Sequence, residues 1–222
     1  MESFSKFIDE GVNDPSIFKA VFLAGGPGSG KSFIAGRTAL QALGFKLINS
    51  DIAFERALKD AGMDASNPDD LFSPEGQLLR TVAKKLTAKQ KKLAIKGRLG
   101  LVIDGTGKDF ATIKAQVVDI KNIGYDVAMI FVNTNLETSI ARNRERERSL
   151  PDSSVESMWN KVFGNIGKFQ NLFGKDMYIV DNSIGSNWEG ATNSVYRKIS
   201  KWAKEKPNNF IAKGWISSRN KA

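Results

Sequence analysis

Eight consecutive residues, Gly25-Gly26-Pro27-Gly28-Ser29-Gly30-Lys31-Ser32, complete the pattern G-x-x-x-x-G-K-[ST]. Glycines at this spacing let successive backbone N–H groups turn inward as a nest for an anion. An apolar run, Ala20 to Ala24, precedes the loop, and a helical pattern follows it. That is the context the motif needs. The positive end of such a helix faces phosphate oxygens, Lys31 reaches the β- and γ-phosphates, and the Ser32 hydroxyl suits Mg²⁺. A plain tight turn explains the glycines but requires neither Lys31 nor Ser32. The expected ligand is a nucleoside triphosphate, ATP with Mg²⁺, held by Gly26, Pro27, Gly28, Ser29, Gly30, Lys31 and Ser32. The loop does not name an acceptor.

Two aspartates close other apolar runs. Asp51 follows Phe45 to Ile48 through Asn49-Ser50, and Asp104 follows Leu101-Val102-Ile103. Ligands of open α/β sheets bind at the carboxyl ends of strands, so both acids belong to one crevice. The chain has no histidine and no cysteine. A Ser-His-Asp relay, a thiol nucleophile, a Cys/His zinc site and a disulfide framework are therefore excluded. Proton transfer falls to a carboxylate, lysine, tyrosine or water. Asp51 is a candidate general base for an acceptor hydroxyl, and equally a candidate N-cap for the helix that follows. Asp104 is a candidate to hold Mg²⁺ through water or to orient Ser32; its bland alternative is a turn-initiating Asp before Gly105.

Arg142, Arg144, Arg146 and Arg148 alternate with Asn143, Glu145 and Glu147. One reading is a solvated helix face with paired charges. The other is a mobile arginine that neutralises charge on a transferring phosphoryl group while excluding water.

These residues need a scaffold. The chain has 222 residues, 41% of them hydrophobic, enough for a buried core. Its 33 Lys+Arg against 24 Asp+Glu leave a net charge of +9, which points to an anionic partner. No apolar run reaches the roughly 18 residues of a membrane span, and the N-terminus lacks a signal pattern. A cytoplasmic location, or a host cytoplasm for a phage-encoded chain, is expected. Five short apolar runs (20–24, 45–48, 99–103, 127–132 and 178–180) alternate with helical spacing over 31–43, 77–95, 110–120, 155–169 and 191–202. That alternation predicts βαβ units, a parallel sheet and helices on both faces. The expected organisation is an arm over 1–18, one domain over 19–206, and a basic tail over 207–222. Pro151 is expected in the first turn of a helix. The turn at Asp181-Asn182 is read as structural.

From Arg80 to Arg98 there are eight Lys/Arg and no acid. This face suits a nucleic-acid backbone. It also suits the wet side of a helix whose Leu78, Leu79, Val82, Leu86 and Leu93 pack on the sheet. Aromatic residues for base stacking are missing from it.

The glycine loop followed by Asn49-Ser50-Asp51 resembles the P-loop kinases that include bacteriophage polynucleotide 5′-kinases and zeta-toxin-like kinases. The resemblance runs over roughly 19–181. It implies a three-layer P-loop fold with five parallel strands in the order 2-3-1-4-5 and an arginine-rich lid. In the polynucleotide kinases an Asp about twenty residues after the loop lysine takes the acceptor's proton; Asp51 follows Lys31 by 20 residues. The resemblance further implies Arg56 and Thr106 as acceptor contacts, Asp104 at the metal, Arg142 on the nucleotide side and Arg146 as the lid arginine. It implies transfer of the ATP γ-phosphate to a hydroxyl, first of all a DNA or RNA 5′-hydroxyl. A nucleoside, nucleotide or nucleotide-sugar acceptor, or a nucleotide switch without an acceptor, are the alternatives. No Asp-x-Asp-x-Thr pattern is present, so 3′-end processing is not expected.

Overall fold

The computed structural model describes residues 12, 16–145 and 149–219. The expected arm over 1–18, with Phe4, Phe7 and Ile8, lies outside these except at 12 and 16–18. The strands are β1 (Lys19–Gly25), β2 (Lys46–Ile48), β3 (Leu101–Asp104), β4 (Asp126–Asn133) and β5 (Met177–Asp181). They form one parallel sheet in the order β2-β3-β1-β4-β5, as expected. The helices are α1 (Lys31–Arg37), α2 (Ser50–Asp60), α3 (Pro68–Phe72), α4 (Pro74–Lys96), α5 (Phe110–Asn122), α6 (Leu136–Arg144), α7 (Asp152–Phe163), α8 (Ile166–Phe173), α9 (Trp188–Lys204) and α10 (Phe210–Arg219). None is long and apolar enough to cross a membrane among the described residues.

Strand residues alternate between faces, and here both faces are apolar. Ala20, Phe22 and Ala24 of β1 join Val117 and Ile120 of α5, Val162 of α7, Phe169 and Phe173 of α8 and Ala212 of α10. Val21 and Leu23 face the other way, onto Ile34 of α1 and Val195, Ile199 and Trp202 of α9. β1 is buried along its whole length because β3 and β4 flank it and both helix layers cover it. The glycine loop leaves the carboxyl end of this central, most constrained strand.

Three expected helices differ. The pattern over 31–43 breaks after Arg37, and a 3₁₀ turn follows over Leu40–Leu43. The Thr38 hydroxyl donates to the Ala35 carbonyl at 2.8 Å, competing with the helix ladder, and Ala39 takes φ 46°. The pattern over 155–169 splits at Gly164-Asn165, because Asn165 turns its amide inward to the carbonyls of Gly107 and Lys108, both at 3.1 Å. Pro151 is the residue capping α7, just ahead of its first turn.

The third difference concerns α4. Its apolar spacing predicted packing on the sheet, yet Leu78, Val82, Leu86 and Leu93 are 63%, 41%, 53% and 54% exposed. The helix instead turns small residues inward. Ala83 joins Phe54, Leu58 and Leu71 in a separate core between α2, α3 and α4, and Ala94 and Ile95 near its end reach the sheet core. A helix of 23 residues spans about 34 Å, far more than the three-residue edge strand β2 can cover. Lys84, Lys85, Lys89, Lys92 and Lys96 are exposed along it. Lys91 sits apart: burial pushes its ammonium below the usual lysine range, and the nearby Asp119 opposes that shift.

At the opposite end of the sheet, Lys19 is 1% exposed. Its ammonium donates to the Asp126 carboxylate at 3.0 Å and lies 4.7 Å from the Trp202 ring centroid. Asp126 also accepts the N–H groups of Asn208 and Asn209 at 2.8 and 3.2 Å. This strap leads into α10, whose Trp215 meets Phe18 edge-on at 5.5 Å. Removing one partner of a buried ion pair leaves an uncompensated charge. Asp126→Ala should therefore cost about 3–5 kcal/mol of stability. Chemical denaturation checks this, and a loss under about 1 kcal/mol would show the strap to be dispensable.

Candidate active site

The loop between β1 and α1 needs glycine at two points. Gly28 and Gly30 have φ of 69° and 72°. A Cβ on Gly28 would lie 2.7 Å from the Ser139 carbonyl oxygen, and one on Gly30 would lie 2.4 Å from Asn182 Nδ2. The first N–H groups of α1 have no side-chain cap, unlike those of α2, α4, α5, α6 and α9, which Asn, Ser or Asp side chains serve. Uncapped donors, a lysine and two left-handed glycines make an anion cradle. Ser29 Oγ is buried in the loop without a hydrogen-bond partner.

Two side chains from distant parts of the chain hold this cradle. Arg142 of α6 donates Nη1 to the Gly28 carbonyl at 3.2 Å. Asn182, 4% exposed just beyond β5, donates Nδ2 to the Ser29 carbonyl at 2.7 Å. By sequence Asn182 belongs to a turn, and the structure adds its contact with the glycine loop. Its signal was its position, since the carboxyl end of a parallel strand is the ligand side of the sheet. Asn182→Ala should leave a loop carbonyl unsatisfied and weaken ATP binding about tenfold, or ~1.4 kcal/mol. Calorimetric titration with ATP checks this; an unchanged affinity would mean that the loop keeps its shape unaided.

Lys31 forms an ion pair with Asp104 at the end of β3. The second oxygen of Asp104 accepts Nδ2 of Asn49 at 2.6 Å. Asn49 is also the N-cap of α2, where its Oδ1 accepts the Asp51 N–H at 2.7 Å. The capping role open to Asp51 thus belongs to Asn49, two residues earlier. The Asp51 carboxylate is exposed on the first turn of α2 and lines a cavity with Phe54, Glu55, Ala65, Leu71 and Arg80. One chain of contacts, Lys31 to Asp104 to Asn49, joins the phosphate loop to the helix that carries Asp51.

Ser32 is exposed and shares with Asp104 and Asn49 a cavity of about 220 Å³. Thr106 and Asp104 line a second one of about 160 Å³ with Lys108 and Asp109. The Thr106 carbonyl accepts the Gly25 N–H at 3.2 Å, and its side chain is exposed. Asp109 caps α5, and hydrogen bonds from the Thr112 hydroxyl and N–H hold its carboxyl below the usual range. Arg56 stands away from Asp51: it is exposed, with its Nε 3.9 Å from the Asp60 carboxylate one turn on. Arg80, from α4, is the arginine that reaches the Asp51 cavity.

Arg146 lies outside the described residues. Both flanks of its segment are pinned. The buried Asn143 side chain donates to the Leu150 carbonyl at 2.7 Å and accepts its N–H at 3.1 Å. Arg144 pairs with Asp152 on the first turn of α7, which raises the arginine's pKa and lowers that of the aspartate.

Residues 21–163 match a family model described as an AAA domain. No curated protein sequence matches the chain. Among solved structures, one from the PezAT chromosomal toxin–antitoxin system of Streptococcus pneumoniae aligns with TM-score 0.55 and 18% identity, over 83% of this chain and 87% of that one. A chain of the Pnkp1/Rnl/Hen1 RNA repair complex aligns with TM-score 0.52 and 20% identity, over 68% of this chain and 46% of that one. The chain therefore spans less than half the length of that protein. At these identities the likeness is one of fold.

Proposed function

The chain belongs to the AAA domain family and has a P-loop kinase-type fold, and we propose that it transfers the γ-phosphoryl group of ATP to a hydroxyl, a polynucleotide 5′-hydroxyl in the first place. The observation that carries this reading is the Asp104 carboxylate, which receives Lys31 on one oxygen and Asn49 on the other. It supports a shared crevice, because the loop's cation is joined through Asp104 and Asn49 to the helix whose first turn carries Asp51. A switch that only binds and hydrolyses nucleotide has no need of that second acid.

The loop amides and Lys31 hold the triphosphate, and Arg142 braces the loop from above. Asp51 accepts the proton of the acceptor hydroxyl as the acceptor oxygen bonds to the γ-phosphorus. The bond from the γ-phosphorus to the β,γ-bridging oxygen breaks, and ADP leaves with its electron pair. Arg146 is the proposed lid arginine over the transferring group, and its described flanks are held by Asn143 and Arg144.

The donor set fits Mg²⁺. Among the described residues no cluster of three or more carboxylate, imidazole or thiol side chains exists. One hydroxyl, Ser32, and one carboxylate, Asp104, face a common cavity. That suits a hard cation which keeps several waters and takes phosphate oxygens. Both oxygens of Asp104 already accept donors, which favours contact through water. When bound, Mg²⁺ would neutralise charge on the β- and γ-phosphates.

The net charge of +9 and the exposed lysines of α4, which packs directly against α2, favour a polyanionic acceptor. The test is incubation with γ-labelled ATP and a panel of 5′-hydroxyl oligonucleotides, nucleosides and UDP-sugars. Label on oligonucleotides supports the reading, and its transfer should fall steeply with salt. Label only on a nucleoside or nucleotide-sugar replaces the acceptor. ATP hydrolysis without any labelled acceptor replaces the kinase reading with a switch.

A further inference from the structure

We propose that the cavity between the start of α2 and the middle of α4 is the acceptor subsite, and that Arg80 restricts it to acceptors with a phosphate near the reacting hydroxyl. This deepens the phosphotransferase reading and rests on it. The cavity holds about 220 Å³ and is lined by Asp51, Phe54, Glu55, Ala65, Leu71 and Arg80. A water occupies about 30 Å³ in the liquid, so there is room for far more than hydration.

The walls divide by chemistry. Asp51 and Glu55 stand one helical turn apart on α2, on its solvent-exposed side. Both are acceptors when ionised and suit hydroxyl groups. Arg80 comes from the facing helix. Its guanidinium carbon lies over the Phe54 ring, 4.4 Å from the centroid. Its Nε is buried without a hydrogen-bond partner. No ion pair joins Arg80 to Asp51 or Glu55 among the described residues, although all three line one cavity.

A guanidinium that lines a cavity with no ion-pair partner among the described residues is open to an anion. A planar guanidinium matches the paired oxygens of a phosphate. A neutral sugar would leave the Arg80 guanidinium without an anion. An anion without hydroxyls would meet two carboxylates. A sugar with its hydroxyl toward Asp51 and its phosphate toward Arg80 satisfies both walls. In a nucleic-acid strand this is the terminal nucleotide and the first internucleotide phosphate, with the lysines of α4 beyond it.

Two measurements test this. The first compares wild type and Arg80→Gln on a 5′-hydroxyl oligonucleotide and on the same strand with its first internucleotide phosphate replaced by a neutral methylphosphonate. Arg80→Gln should raise the KM for the natural strand about 10- to 100-fold, as for a lost charged hydrogen bond, with kcat and the KM for ATP little changed. On the methylphosphonate strand the substitution should add nothing. Independent, multiplying effects, or no effect on the natural strand, overturn the proposal. The second needs no chemistry and no variant. The Arg80 Nε–H resonance of the wild-type protein, slowed in exchange by its burial, is followed by NMR as the oligonucleotide is added without ATP. A shift supports the subsite even if no phosphoryl transfer occurs, in which case the kinase reading alone fails. A silent resonance at saturating oligonucleotide overturns the subsite even if transfer occurs.

Discussion

Lys31→Ala should reduce phosphoryl transfer by about 10³-fold or more, the scale of losing a preorganised charge aimed at the transferring group. Lys31 is the first residue of α1 and the only lysine on the glycine loop, and its ammonium is already oriented by Asp104. Alanine removes the cation from the triphosphate and leaves one oxygen of Asp104 without a donor. Neither loss touches the sheet core, because both side chains sit at its carboxyl edge. The folded fraction should stay near wild type by circular dichroism, while transfer and ATP hydrolysis fall together. Wild-type turnover in this variant would remove the loop from the mechanism.

Asp51→Asn should cut transfer by about 10²- to 10⁴-fold while ATP binding stays unchanged, the signature of a lost general base. The substitution is nearly isosteric. The helix keeps its cap, since Asn49 and not Asp51 receives the capping hydrogen bond. Slow ATP hydrolysis should survive, because water can still reach a phosphate held by Lys31. Single-turnover transfer beside a nucleotide titration separates the two effects. Equal transfer rates in variant and wild type would strip Asp51 of its role and return the acceptor chemistry to another group.

The phosphate cradle was legible because it is local. Eight adjacent residues carry it, and a strand before and a helix after are visible within twenty residues. The strand order followed from resemblance together with short apolar runs that only a doubly covered parallel sheet can bury. What escaped depends on which helix faces which. α4 has leucines at helical spacing, which reads as a face for the sheet. Yet α2 and α3 supply it with a core of their own, built on Ala83. The same packing brings Arg80 to the Asp51 cavity, while Arg56 meets Asp60 on the exposed side of α2, and no local pattern marks that difference. Asn182 acts on Ser29, 153 positions away, and no local pattern marks it. Asn49 was within reach: a side chain that both caps a helix and steadies a neighbouring carboxylate is a common use of asparagine ahead of an acidic first turn.

The strap at Asp126 has a consequence for synthesis. β1 is the middle strand of the sheet, and its Lys19 pairs with Asp126, 107 positions further on. Asp126 in turn is completed by Asn208 and Asn209, close to the end of the chain. The strap can therefore form only after all five described strands have been made. Until then the Lys19–Asp126 pair lacks its covering turn, and such long-range contacts form slowly. Expression at lower temperature or with added chaperones should raise the yield of native protein more than a stronger promoter would.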